Sequence, residues 1–451
     1  MTNTNEDTTL SNIGFIPIAR PTFDTALAQE LTTQLRSNLV DAGFDLLGDD
    51  TLIMSMDAVD AWVDGLPETP ALLLVVQASF ADSTMIVRLA ERVDAPILMW
   101  ALPEPQVGGR LRLNSFCGIN LGGHALTRAG YSYDYLYTTP DDPAAITKVT
   151  NTFAAAVVKE RLQATRIGRI GENPDGFETC LVNYEALETQ FGVDVVQVEL
   201  ETVFAGMQAA PEADVNTAYD AVSARVAGVD KFDRTETNGT LSAYVTMRSM
   251  ANEMKLDGLA VRCWPEFFTG PGCSACGAMS MLNDSQMPCS CEADVNGTIT
   301  SLILQWLSGD PAFGTDIVAF DTEDDTATLW HCGLAPLSMA DPDSTPEAAL
   351  HSNRQKPLLM QFPLKPGRIT LARLSEATGE MRLVIGTGEM IKAPPSFTGT
   401  SGRVRFDSGA QQAMDTMLQE GLEHHLSLTY GDYADTLEAL ARMLKLPVLR
   451  L

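Results

Sequence analysis

The chain has 451 residues, with 59 acidic against 30 basic side chains and a formal net charge of −29. That length suits two or three domains, and an apolar share of 45% is enough to build their cores. The charge argues against binding nucleic acid or an anionic membrane through a basic face, and it reads as a solvated acidic surface. The opening MTNTNEDTTLSN lacks the basic and apolar segments of a signal peptide. No apolar run reaches the ~18 residues a membrane span needs. Eight cysteines without a signal point to reduced thiols in the cytoplasm.

Residues 1–165 alternate strand and helix signals. Residues 13–18, 52–55, 71–78 and 96–102 are apolar runs of strand length, and 22–42, 82–93 and 140–163 carry helical spacing. Runs that are apolar on both faces fit a parallel sheet covered by helices. A second unit of the same kind spans 166–300, with strands at 167–170, 193–200 and 258–262 and a turn-rich loop in GENPDGFETC. From 301 to 451 the pattern changes to short strands at 316–321, 326–331, 358–362, 368–374, 381–387 and 402–406, most of them joined by polar turns. That is the mark of an antiparallel sheet or small barrel. A helix at 408–419, a strand at 424–430 and a last amphipathic helix ending before Pro447 close the chain. The expectation is two doubly wound α/β domains followed by a β-rich, barrel-like domain.

Residues 261–297 hold five of the eight cysteines and three candidate carboxylates, Glu266, Glu292 and Asp294. Glu266 follows the 258–262 strand, where doubly wound sheets place their ligands. In Cys291-Glu292-Ala293-Asp294 the two acids are two residues apart, so an extended segment projects both to one face. Paired carboxylates repel unless a cation or shared proton compensates. Oxygen ligands with an imidazole or two suit Mn²⁺ or Mg²⁺ better than zinc. The imidazoles available are His331, His424 and His425, and the last two are adjacent on a strand, so only one is expected to face a metal. The bland alternative is that Glu292 or Asp294 caps the helix starting near Val295. Cys273, Cys276, Cys289 and Cys291 allow a second alternative, a structural zinc site, although the second pair is spaced CxC; buried thiols filling a core are the third. No dinucleotide, P-loop or nucleophile-elbow motif is present.

Five stretches resemble the L-fucose isomerase and L-arabinose isomerase superfamily: IGRIGENPDGFETC, AVRCWPE, CEADVNG, LWHCG and the C-terminal HHLSLTYGDYADTLEALARMLKLPV. The resemblance covers the chain from residue 166 onward, and before that only PEPQVGGRLRLNSFCG. It implies three domains, 1–165, 166–300 and 301–451, with the active site between the second and third. It implies a metal-dependent aldose–ketose isomerase acting on a monosaccharide through a cis-enediol, with Mn²⁺ as cofactor. It also implies a cytoplasmic homo-oligomer, a trimer or hexamer, in which a neighbour's first domain closes the pocket. On that basis Glu266 and Asp294 are expected as acid/base and metal ligands, with His425, Glu292 and His331 as further ligands. Trp264, His424 and Arg110 are expected near the sugar. An anionic sugar needs a cation, and Arg110, Arg112, Lys365 and Arg368 are available. A non-catalytic sugar-binding relative is the alternative outside enzymes.

Overall fold

The protein is described by a computed structural model covering residues 10–451. It divides into two compact units. One runs through Glu160 and takes in Asp435–Lys445, and the other comprises Arg161–Ala434 and Leu446–Leu451.

The first unit is built on a parallel five-stranded sheet of Leu10–Ile18 (β1), Phe44–Leu47 (β2), Leu72–Gln77 (β3), Ile97–Ala101 (β4) and Tyr133–Tyr137 (β5), in the order β2-β1-β3-β4-β5. Strand residues alternate faces, and here each face has its own core. Phe15, Leu72, Leu74, Leu98 and Trp100 pack with the Thr25–Asp41 and Pro143–Leu162 helices. Ile16, Leu73, Val75, Ile97 and Met99 pack with Met56–Asp64, Ser83–Arg92 and Ser115–Arg128. That double cover is why β3 and β4 read as unbroken apolar runs. The strand expected at 52–55 is not formed. Ile53 makes one isolated bridge to Ile18, beyond the Leu10–Gly14 part of β1 that pairs with Phe44–Leu47.

The second unit combines a sheet and a barrel. Arg166–Ile170 (β6), Asp194–Val198 (β7), Gly258–Val261 (β8) and Cys289–Ser290 (β9) form a parallel sheet in the order β7-β6-β8-β9. The strands that follow are Phe313–Asp321 (β10), Thr326–His331 (β11), Glu347–Ala349 (β12), Leu359–Pro363 (β13), Gly367–Ser375 (β14), Arg382–Ile391 (β15), Thr400–Phe406 (β16), His425–Tyr430 (β17) and Val448–Arg450 (β18). Six of them close antiparallel as β16-β11-β10-β17-β14-β15, because β15 also pairs β16. Closure removes the exposed sheet edges.

The Val295–Ser308 helix joins the two parts. It is buried on all sides from Val295 to Gln305, as a helix inside a core must be. Its short polar side chains bond both neighbours. The Thr298 hydroxyl donates to Leu259 O of β8 (2.9 Å), Thr300 Oγ1 accepts from Leu374 N of β14 (3.0 Å), and Ser301 meets Ser427 of β17 (2.9 Å). The start of this helix is thereby fixed against β17.

Candidate active site

The site grows from the turn between β9 and that helix. Glu292 and Ala293 both take left-handed backbone angles, φ 60° and 56°. Such angles cost non-glycine residues about 1–2 kcal/mol each and tend to gather at functional sites. The Asn173 amide offsets that cost by donating to Glu292 O (2.9 Å), Ala293 O (3.3 Å) and Cys180 O (2.8 Å). Arg169 Nη2 in turn donates to Asn173 Oδ1 (2.7 Å). The IGENPDG loop therefore acts as a clamp on the turn. The expected extended segment is absent. It is the left-handed pair, not strand alternation, that turns both Glu292 and Asp294 toward His425.

Asp294 does cap the helix, with Oδ1 accepting from Gly297 N (2.9 Å). Its Oδ2 accepts from Arg373, with which it forms a buried ion pair, and from His425 Nδ1 (3.0 Å). Gly297 is required there, since a Cβ would lie 2.5 Å from Asp294 Oδ2. Burial works against the Asp294 charge, but Arg373 and His425 outweigh it and hold the carboxyl far below its usual range. Asp294 is thus a positioning residue for His425, with both oxygens engaged.

His425 Nε2 faces two other acids, Asp316 Oδ1 at 3.6 Å and Glu292 Oε2 at 3.9 Å. The antiparallel register of β10 and β17 pairs Asp316 with His425. Asp316 Oδ1 is buried without a hydrogen-bond partner among the described residues, and burial raises its pKa. Burial opposes ionisation of His425, but the Asp294 hydrogen bond and the surrounding acids raise its pKa. Glu292 is held below the usual range: burial raises it, and the His424 hydrogen bond, the charge on His425 and the Trp264 hydrogen bond outweigh that. Trp264 Nε1 donates to Glu292 Oε1 (3.0 Å). His424 Nε2 lies 3.1 Å from Glu292 Oε2, and its Nδ1 lies 2.8 Å from the Thr179 hydroxyl. Glu292 can only accept, so His424 donates from Nε2 and accepts from Thr179.

His424 and His425 do not face opposite ways as expected. Their rings lie 4.0 Å apart, because the strand begins at His425 and His424 sits in the bend before it. The His331 ring is 5.8 Å from that of His425, and its Nδ1 accepts the Cys332 N–H (2.9 Å). Burial and the charge of His425 keep His331 neutral. Phe177 packs edge-on against Trp264 and His424 (5.1 and 5.9 Å).

Two sets among these residues could hold a metal ion: Cys180, Glu292, His424 and His425, and Asp316, His331 and His425. His425 is common to both. Burial and the charges of Asp294 and Glu292 raise the Cys180 pKa and keep it a thiol, a weak ligand.

Other expected residues have partners or positions of their own. Glu266 opens the short Glu266–Thr269 helix and turns back to Arg262 Nε (2.8 Å), a pair one helical turn apart. Arg110 is exposed on a loop of the first unit. Arg112 and Arg368 are occupied by Asp24 and by Asp407 and Asp432, and Lys365 donates to Ser338 O. The four cysteines do not converge either. Cys291 meets Cys263 (2.8 Å) and Cys276 meets Cys332 (3.0 Å), and none of the metal-competent sets unites the four. Asp316, Arg373, Thr179 and the clamp role of Asn173 escape a reading of the sequence alone. The available signal for Asp316 is an acid placed inside the apolar strand AFGTDIVAF.

Comparisons with known proteins show the family. Residues 14–162 match the N-terminal domain of fucose/sulfoquinovose isomerases, and residues 329–451 match the C-terminal domain of L-fucose isomerase. A sulfoquinovose isomerase of Priestia aryabhattai is 30% identical over 435 residues, 96% of this chain and 97% of the relative. That of Alkalicoccus urumqiensis is 30% identical over 438 residues, 97% of this chain and 98% of the relative. One from a Clostridium strain is 28% identical, again over 96% of this chain. The chain therefore belongs to the fucose/sulfoquinovose isomerase family and is a sugar isomerase that interconverts an aldose and a ketose.

Proposed function

We propose that the protein converts sulfoquinovose to its 2-ketose at a divalent-metal centre held by Glu292, Asp316 and His425, with Mn²⁺ as the working ion. The observation that carries this reading is the orphaned, buried Asp316 Oδ1 facing His425 Nε2 at 3.6 Å, with Glu292 Oε2 3.9 Å from the same nitrogen. An imidazole whose other nitrogen is held by a carboxylate, here Asp294, is the usual dress of a metal-binding histidine. Two carboxylates and one imidazole suit Mn²⁺. Bound there, the cation supplies Lewis-acid stabilisation of the negative charge that develops on the sugar oxygens. Glu292 and Asp316 move the proton between C2 and C1 of the open-chain sugar. Glu266 and Asp294 fit that role less well, since Arg262 holds the first and Asp294 has no oxygen left to accept a substrate proton. His331 and His424 are the imidazoles in reach of the sugar hydroxyls, and Trp264 is its apolar wall.

The names of the relatives motivate the sulfonated substrate, and Arg354 supports it. Its guanidinium lies over the rings of Trp264 (5.2 Å) and Phe268 (5.0 Å), and no carboxylate among the described residues pairs with it. In a chain of net charge −29, an unpaired arginine beside the site suits a sulfonate. Family likeness also leads us to propose the three-part division at 165 and 300, a trimer or hexamer, and a cytoplasmic setting. The test is to compare sulfoquinovose with its neutral 6-deoxy counterpart. Arg354→Ala should raise KM for the sulfonated sugar at least tenfold and leave the neutral one unchanged. Equal effects on both sugars would remove Arg354 from recognition.

A further inference from the structure

We propose that Cys276, Cys332 and His351 form a zinc site apart from the Glu292–Asp316–His425 centre. The three come from separate elements. Cys276 lies in the first turn of the Ala275–Asp284 helix, Cys332 directly follows β11, and His351 begins the turn that carries Arg354. One ligand atom from each lies within 4.8 Å of the other two. The two sulfurs are 3.0 Å apart. His351 Nδ1 is buried with no hydrogen-bond partner among the described residues.

Packing alone accounts for Cys263 and Cys291, which meet with no imidazole in their metal-competent surroundings. The Cys276–Cys332–His351 set adds an imidazole to its two thiols. The chemistry favours zinc. Thiolate with imidazole is a zinc donor set, whereas the oxygen-rich centre suits Mn²⁺. The helix N-terminus at Cys276 favours its thiolate form. Tetrahedral bonds of about 2.3 Å hold two thiolates roughly 3.8 Å apart, so Cys332, half-buried at a strand end, has to swing outward by less than 1 Å. Binding releases the two thiol protons to solvent and changes no oxidation state. The ion ties the residue 351–354 turn to the helix and to the end of β11. That this steadies Arg354 for a sulfonate rests on the reading above; the binding itself does not.

The full-length protein, kept reduced with a phosphine, is dialysed against trace Zn²⁺ in excess Mn²⁺. One zinc per chain should remain in the wild type and in His425→Ala. Affinity should fall at least ~100-fold in Cys276→Ser and His351→Ala, with folding checked by circular dichroism. Co²⁺ in place of zinc should give sulfur-to-metal charge-transfer absorption that Cys276→Ser and Cys332→Ser abolish and Cys180→Ser retains. Zinc lost on dialysis, a Co²⁺ spectrum indifferent to Cys276→Ser, or a Cys276–Cys332 disulfide in mass spectra of the reduced preparation would each overturn the site. Isomerase activity is not the readout, so failure here leaves the assignment of the Mn²⁺ centre standing.

Discussion

The first unit's sheet and the second unit's parallel sheet wind in the same order, and both units place acids in or just beyond their strands. In the first unit those acids are satisfied locally. Glu104, beyond β4, accepts from the backbone N–H groups of Arg112, Leu113 and Asn114. Asp134, in β5, pairs with Lys148 and Arg442. In the second unit Glu292 and Asp316 meet only imidazoles, an indole and a thiol, and one buried oxygen has no hydrogen-bond partner among the described residues. The winding offers a crevice in both cases. On the proposed reading, the chemistry arises where charge is left unmatched.

The largest effects should therefore come from removing that unmatched set. Glu292→Gln and His425→Ala should each lower kcat/KM by about 10³-fold or more, measured with the metal-loaded enzyme. Asp316→Asn should come close to them, at about 10²-fold or more. Glu266→Gln should stay within a few-fold of wild type; a loss as large as that of Glu292→Gln would restore Glu266 to the centre.

Next in size are residues that position the set. Asp294→Asn should weaken Mn²⁺ binding about 10–100-fold, with kcat recovered at high Mn²⁺, because the amide cannot fix His425 in the same way. Asp294→Ala strands buried Arg373 and should cost about 3–5 kcal/mol in urea unfolding. Asn173→Ala releases the left-handed turn at the cost of three hydrogen bonds, about 1 kcal/mol each. Its activity should drop while the melting curve stays cooperative.

The smallest effect, and the control, lies in the first unit. Asp134→Asn should cost about 1–2 kcal/mol and leave Mn²⁺ affinity unchanged. Burial works against the Asp134 charge, but Lys148 and Arg442 outweigh it and lower its pKa. A depressed carboxyl stabilises the fold above the unfolded value, near 4, and the benefit fades as pH falls through the lower folded value. The gap between wild type and Asp134→Asn in urea should thus be full at pH 7 and shrink below about pH 4.

Much of this is legible in the chain. The apolar runs of β3 and β4 and the short alternating strands of the barrel follow from burial alone, since the core imposes their period. Glu292 and Asp294 also stand out by type and spacing, whereas the choice of His425 over His424 comes from the family resemblance. For Glu266 the strand-end position says where a carboxylate begins and not where it points; here it pairs with Arg262, four residues back. Asp316 is hidden for the opposite reason. Its importance comes from the β10–β17 register, which pairs it with His425 from far along the chain, and no local pattern encodes that pairing.

The most direct test of the central claim uses protein stripped with a chelator and sulfoquinovose in D₂O, with proton NMR following the signal at C2. Adding Mn²⁺ should start deuterium incorporation at C2 together with appearance of the ketose in the wild type, and leave Glu292→Gln silent. Exchange at the wild-type rate without metal, or in Glu292→Gln with Mn²⁺, would contradict the account.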